Sequence, residues 1–304
     1  MDLKSLRYFV TVAEHGHMTR AAEQLGIQQP PLSLQIKGLE RELGVTLFRR
    51  HPRGVALTDA GRQFQVEAER LLSDVDAMRQ RMSRVATGEE GQMAVGFTSS
   101  AAAHRFVPTT LQAFRRAYPR VHLQLHEANA DELTQAIEAG RLNCGLLRVP
   151  VAQPVGLVFE TLLREPVVVA MPSDHRLAIE RDGKKRIAPI VLDQLCEEGL
   201  ILVRRPGAPG LYADLLALCH ARGLQPRIVA EVDRMMSNLN LVAAGVGISV
   251  VPQSMMGVHS HAITYMPLHQ QHAIDAPLTL VSRADEDNLP ALHFAHLARK
   301  MATR

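Results

Sequence analysis

A heptad seam in the first third of the chain constrains the fold more than any other feature. After Phe64 the apolar residues Ala68, Leu71, Val75, Met78, Met82 and Val85 follow at spacings that alternate four and three, the repeat that lets two helices wind around each other. With Thr58 as N-cap, the helix is expected to run to about Thr87, about thirty residues at about 1.5 Å each, or roughly 45 Å. A single long helix cannot bury such a seam on itself. The expected partner is the same helix of another chain, and packing on the chain's own downstream domain is the alternative. The polar Gly88-Glu89-Glu90-Gly91 that follows reads as a hinge.

Upstream of the seam, Leu3, Leu6, Phe9, Val10 and Ala13 recur at helical spacing up to His15, and Gly16 suits the end of that helix. Thr19 is the expected cap of a short second helix, Arg20 to Leu25, stopped by Gly26. A third helix is expected from about Gln29 to Leu43, with Leu32, Ile36, Leu39 and Leu43 buried and with Pro30 and Pro31 in its first turn. Extended pieces at Val45–Phe48 and Val55–Leu57 flank Arg49, Arg50 and Arg53, a hairpin with an arginine loop. Helix, tight turn, helix is a helix-turn-helix candidate. Gln29, Ser33 and Lys37 are expected on the outward side, where such side chains reach base edges and phosphates in a major groove.

Charge supports that placement. Between Gln28 and Arg62 the basic residues Lys37, Arg41, Arg49, Arg50, Arg53 and Arg62 outnumber Glu40, Glu42 and Asp59 by three, and the net charge of the whole chain is +3. A helical bundle with a solvated polar stripe is the bland alternative.

After Gln92 strands alternate with helices. Strands are expected at Met93–Phe97, Val121–Glu127, Cys144–Leu147, Val158–Leu163, Val167–Met171, Leu200–Val203, Ile228–Val232, Ile248–Val251 and Leu278–Ser282. Helices are expected at Pro108–Tyr118, Asp131–Ala139, Leu211–Arg222, Met235–Ala244 and Pro290–Thr303. This alternation implies mostly parallel sheets covered by helices, and more than two hundred residues suit two lobes. With 46% hydrophobic and 21% charged residues, disorder is excluded as the main state. No apolar run approaches bilayer length. The start MDLKSLRYFV lacks a signal peptide's apolar stretch, and Cys144, Cys196 and Cys219 are too few for a disulfide framework, so a cytoplasmic location is expected.

The stretch from Ala21 to Gly61, AAEQLGIQQPPLSLQIKGLERELGVTLFRRHPRGVALTDAG, resembles the LysR-type transcriptional regulators over its whole length, without a gap. GFTS from Gly96, EAGRLNCG from Glu138, PSDHRLA from Pro172 and VAAGVGISVVP from Val242 to Pro252 also match family landmarks. The resemblance implies a winged helix-turn-helix over 1–58, a linker and dimerisation helix over 59–88, a hinge at 89–91, and a two-lobed α/β effector domain over 92–304 resembling periplasmic binding proteins. Lobe I would take about 92–163 and 267–304, lobe II about 164–266. It further implies a sequence-specific regulator of transcription that binds double-stranded promoter DNA as a homodimer or homotetramer and responds to a small-molecule effector, with RNA polymerase as a further candidate partner. By the same resemblance Gln29, Pro30 and Ser33 meet bases and phosphates, Arg50 and Arg53 are wing contacts, and Thr58 sits near a phosphate. Two positions depart from the family: Leu34 stands where arginine is common, and Gln28 where serine is. Pro30-Pro31-Leu32 resembles the variant of regulators of aromatic-compound breakdown.

In such a domain the ligand belongs between the lobes, at strand C-termini facing helix N-termini. Thr98, Ser99 and Ser100 follow the first strand and offer hydroxyls and unpaired amides to an anion. Asn129 follows the second strand, Arg148 ends the third and could clamp a carboxylate, and Arg204, Arg205 and Pro206 follow Leu200–Val203. A small organic anion is the expected effector. Helix capping is the alternative for the serines, and a surface salt bridge for Arg148.

No nucleophile elbow, P-loop or strand-linked G-x-G-x-x-G is present, so no catalytic residue and no cofactor is assigned. His259, His261, His269 and His272 lack a cysteine partner and carry no metal assignment. His122 and His126 read as surface residues and His175 as structural. A thiol switch, which needs a reactive cysteine with a resolving partner although Cys144 sits in an expected buried strand and Cys196 and Cys219 lie on separate elements, and an architectural DNA binder that senses nothing small, are further readings.

Overall fold

The structure, a computed structural model, describes residues 1–148, 154–178, 188–203, 210–269 and 274–303. The chain divides into two units, Met1–Ala86 and Thr87–Arg304.

In the first unit the carboxylate of Asp2 accepts a hydrogen bond from the Ser5 amide at 2.7 Å and opens α1 (Leu3–His15), which ends at Gly16 in the left-handed region. α2 (Met18–Gln24) starts two residues before the expected Arg20. Its cap is the His17 ring, whose Nδ1 accepts from the Thr19 amide at 3.3 Å, so Thr19 lies inside the first turn. Gly26, at φ 66°, makes the tight turn into α3 (Gln29–Leu43). Gln28 supplies no side-chain cap there. Pro30 and Pro31 have no amide hydrogen, so part of the need for a cap vanishes.

The hairpin pairs β1 (Phe48–His51) with β2 (Gly54–Leu57), Phe48 opposite Leu57 and His51 opposite Gly54. It begins later than the expected Val45 because the Glu40 carboxylate accepts the Leu47 and Phe48 amides at 2.8 and 3.1 Å, tying the approach to α3. Arg49 and Arg50 are therefore on the strand rather than in the loop, and the loop is Pro52-Arg53. The Val55 amide donates to Gly16 O at 2.8 Å, and a Cβ on Gly54 would meet that same oxygen at 2.2 Å. The hairpin is thus clamped to the end of α1 at a point where only glycine fits. Phe9 packs tilted against Phe48 and edge-to-face with Phe64 at the centre of this core.

α4 (Asp59–Ala86) is capped by Thr58, whose hydroxyl accepts the Gly61 amide at 2.9 Å. Its seam divides in two. Phe64 and Ala68 pack into the first unit's own core, whereas Leu71, Met78, Met82 and Val85 are exposed along the remaining turns.

The second unit runs β3 (Glu90–Phe97), α5 (Ser99–Ala102), α6 (Phe106–Ala117), β4 (Arg120–Glu127), α7 (Ala130–Glu138), β5 (Cys144–Leu147), β6 (Leu157–Pro172), α8 (Leu192–Cys196), β7 (Gly199–Val203), α9 (Leu211–His220), β8 (Arg227–Val232), α10 (Met235–Ala243), β9 (Ser249–Pro252), β10 (Ile263–Pro267), β11 (Asp275–Arg283) and α11 (Leu289–Ala302). β3 begins at Glu90, inside the stretch read as a hinge. The two strands expected at Val158–Leu163 and Val167–Met171 are one, β6. Its first half pairs antiparallel with β11 and its second half with β9 and β10. The strand order is β10-β6-β11-β5-β3-β4, with β9 also on β6.

β3 pairs parallel with β4 and β5, and β7 with β8. The expectation of mostly parallel sheets fails at β6 and β11, which run back between the lobes and pair antiparallel with every strand they meet. β10 and α8 had no sequence-level expectation. One lobe has its core on both faces of the β11-β5-β3-β4 layer, with Phe114 and Phe294 on one side and Leu133 and Ile137 on the other. The other is built around Met171, Ile201, Leu215, Leu239 and Val251.

Candidate functional site

Two surfaces gather the residues singled out above. On α3, Gln29, Pro30 and Lys37 are exposed and Ser33 is half-buried. Leu32, Ile36 and Leu39 are buried. Leu34 occupies the centre of the outward face and is 65% exposed. The expected polar row thus lies to one side of that face, which the leucine dominates. Arg50 on β1 and Arg53 in the hairpin loop are exposed. Among the described residues none of Lys37, Arg41, Arg49, Arg50 and Arg53 is held in an ion pair, so their charges are free to meet an external anion. The Thr58 hydroxyl donates to Thr46 O at 2.7 Å and caps α4, which leaves it an anchor between helix and hairpin.

The second surface is a cavity of about 140 Å³ between the lobes. Thr98, Ser99, Ser100, Asn129 and Arg148 line one side, and Gly210, Leu211, Tyr212, Asp233, Arg234 and Met235 are among the residues facing them. Five of the seven expected effector residues are thereby brought together; Arg204 and Pro206, with Arg205, lie outside the described residues. The first turns of α7, α9 and α10 all reach the cavity, and their orphan amides carry partial positive charge.

The residues there have distinct roles. The Thr98 hydroxyl accepts the Ala101 amide at 3.2 Å and caps α5. Asn129 is engaged in a reciprocal capping box with Glu132. The Ser99 hydroxyl has no partner among the described residues. Arg148 is buried, and its donors are already used: Nε and Nη2 each donate to Ser100 O at 3.1 Å, Nη2 also to Ser254 Oγ at 2.9 Å, and the guanidinium is ion-paired with the buried Glu165. Ser254 returns its amide and hydroxyl to Glu165 at 2.8 and 2.9 Å. Neither a free carboxylate clamp nor a surface salt bridge describes this. Arg148 is a buried strut that fixes the carbonyl of the α5 turn. Burial pulls its pKa below the ordinary arginine value, and Glu165 opposes that pull.

The more accessible cation in the cavity is Arg234. It precedes α10, is 47% exposed, and lies 3.6 Å from Glu132 across the opening. Sequence reasoning passed over it, although it shares with Arg148 the position between a strand end and the next element. The Tyr212 phenol is held by Asn238 Nδ2 at 3.1 Å, and burial pushes its pKa up, keeping it a neutral hydroxyl.

The other clusters differ from expectation in detail. Cys196 and Cys219, on separate helices, bring their sulfurs to 3.3 Å. Burial pushes the Cys196 thiol to about 12 and also raises Cys219, so both stay protonated and poorly nucleophilic. His259 bonds Asn240 Oδ1 at 2.7 Å, and His272 lies outside the described residues. Among the described residues no three His, Cys, Asp or Glu side chains converge as a metal site, and no helix is long and apolar enough to cross a membrane.

Comparison with known proteins identifies both modules of the chain. Residues 3–62 match the bacterial regulatory helix-turn-helix protein, lysR family, and residues 86–302 the LysR substrate binding domain. The uncharacterized HTH-type transcriptional regulator YnfL of Escherichia coli (strain K12) is 38% identical over 97% of this chain and 96% of its own length. The HTH-type transcriptional regulator AlsR of Bacillus subtilis (strain 168) is 33% identical over 100% and 97%. The crystal structure of full-length CbnR complexed with its target DNA superimposes with a TM-score of 0.82 at 26% identity, covering 99% of this chain and all of that one. Through both modules and along nearly its whole length, the chain belongs to the LysR family of DNA-binding transcriptional regulators, in which the helix-turn-helix is followed by an effector-binding domain.

Proposed function

We propose that this regulator senses a small organic carboxylate held between its lobes. The observation that carries the reading is the cavity itself: about 140 Å³, reached by three helix N-termini, with an uncommitted Ser99 hydroxyl and an accessible Arg234. An engineered cavity of about 150 Å³ accepts benzene, so the volume suits a single ring or a short-chain acid. Helix N-termini and arginine favour a carboxylate. Thr98, Ser100, Asn129 and Arg148 shape the cradle, and Arg204 and Pro206, outside the described residues, stay in the proposed effector set on sequence grounds.

At the other end of the chain, Gln29, Pro30 and Ser33 read the major groove, Lys37 meets an adjacent phosphate, and Arg50 and Arg53 fix the hairpin on the flanking backbone, with Thr58 anchoring α4 to the approach of that hairpin. The working division is 1–58 for DNA, 59–88 for dimerisation through α4, 89–91 as the junction and 92–304 for the effector. The lobes take about 92–163 with 267–304 and about 164–266. Dimers pair again into a homotetramer on cytoplasmic promoter DNA, where RNA polymerase meets them.

Thermal unfolding of the full chain against aromatic and aliphatic carboxylates, each with its neutral amide, tests the reading. A ligand at about 100 times its Kd adds about 2.7 kcal/mol. The carboxylate should raise Tm, its amide should not, and Arg234→Ala should diminish the shift. Equal stabilisation by acid and amide would defeat the anion assignment.

A further inference from the structure

Leu34 is an apolar side chain at the centre of the face that α3 turns away from the protein. At 3.6 residues per turn its Cβ points roughly 170° from the mean direction of Leu32, Ile36 and Leu39, which are buried in the core of the first unit. It is 65% exposed. Pro30 one turn before and Gly38 one turn after lie on the same ridge, and nothing lies within 4 Å of a Cβ built on Gly38. The ridge is therefore apolar and, past the leucine, bare enough for close approach. Lys37 stands beside it with no ion-pair partner among the described residues.

A leucine in this position has a narrow choice of targets in DNA. It can neither donate to a phosphate nor pair with the hydrogen-bonding edges of guanine, adenine or cytosine. Pressed against them it would desolvate polar groups without return. Among the four bases, the major groove carries one apolar group, the C5-methyl of thymine. We propose that Leu34 is a specificity-determining residue that selects thymine by packing on this methyl. The proposal rests on the reading of α3 as the groove-facing helix and adds to it a base preference that hydrogen-bonding side chains do not supply. Lys37 serves the adjacent phosphate and holds the ridge at contact distance.

Removing one methyl from the DNA isolates the contact. Duplexes enriched from a randomised library by the full-length protein supply the probe, and each thymine is then replaced singly by deoxyuridine. One buried methyl at about 0.8 kcal/mol corresponds to about a fourfold change in Kd. At least one thymine per half-site should show that loss with the wild-type chain. For Leu34→Ala, a surface substitution compatible with folding, the same replacement should be neutral. Lys37→Ala should weaken binding on all duplexes yet retain the uracil effect. The proposal is overturned if no single thymine is sensitive, or if sensitivity survives in Leu34→Ala. Failure to enrich any sequence would instead remove the groove-facing reading of α3, and this proposal with it.

Discussion

The ion pair between Arg148 and Glu165 offers the sharpest test of how the effector cavity is held open. Both residues are more than nine-tenths buried. Replacing Arg148 by methionine leaves the Glu165 carboxylate with Ser254 alone and strips Ser100 O of both its donors. Breaking a buried pair from one side costs about 3–5 kcal/mol, and Glu165→Met should cost the same for the opposite reason. At about 2–4 °C per kcal/mol for a domain of this size, each single variant should lose roughly 6–20 °C in Tm. The double variant leaves no charge behind. Its penalty is that of the orphaned Ser100 carbonyl and Ser254 amide, about 1–3 kcal/mol each, which is less than the two single costs together. A coupling of a few kcal/mol is therefore expected, read by far-UV circular dichroism because the chain has no tryptophan. Single variants costing under about 1 kcal/mol, or strict additivity, would refute the strut. Arg148 would then be free to bind an effector directly.

Three further outcomes follow from the same geometry. Leu71→Glu should turn the dimer into a monomer in sedimentation without unfolding it, because Leu71 is exposed on the single chain; a surviving dimer would remove α4 as the interface. Gln29→Ala should cost about 1–3 kcal/mol on the cognate duplex alone, while Arg53→Ala should weaken all duplexes and lower the salt slope by about 1; exchange of the two patterns would reverse the assignments. The His104 pKa is held below the ordinary histidine value of about 6.5, first by burial and further by Arg148 and Arg105, against the pull of Glu165. The unfolded chain thus takes up the proton first as pH falls, so stability is full above about 6.5 and declines below it. His104→Gln should flatten that decline, and an unchanged acid profile would count against it.

Local signals were legible wherever the chain's own neighbours decide the conformation. Gly16, Gly26 and Gly44 end or join helices as their sequence positions suggest, and the stripe Leu32, Ile36, Leu39 needs only helical periodicity. What escaped was decided by partners distant in sequence. Glu40 reaches seven residues ahead to hold Leu47 out of the hairpin. Arg164-Glu165-Pro166 reads as a break between two strands, yet β6 continues through it because β11 and β9 supply pairing on either side. In the cavity, the serines and Arg148 follow from their place at strand ends. That Arg148 is engaged, and Arg234 accessible, depends on Glu165 lying opposite one and solvent beside the other.

The placement of β11 between β5 and β6 has a consequence for synthesis on the ribosome. Leu147 emerges 132 residues before its sheet partner Thr279, a lag of roughly 7–26 s at about 5–20 residues per second. Until then β3, β4 and β5 present an open edge at Cys144–Leu147, a stretch entirely buried in the finished protein. A nascent chain must wait with that edge uncovered or shielded by a chaperone. A premature stop between β5 and β11 would therefore yield an adhesive, half-built sheet rather than a shortened regulator.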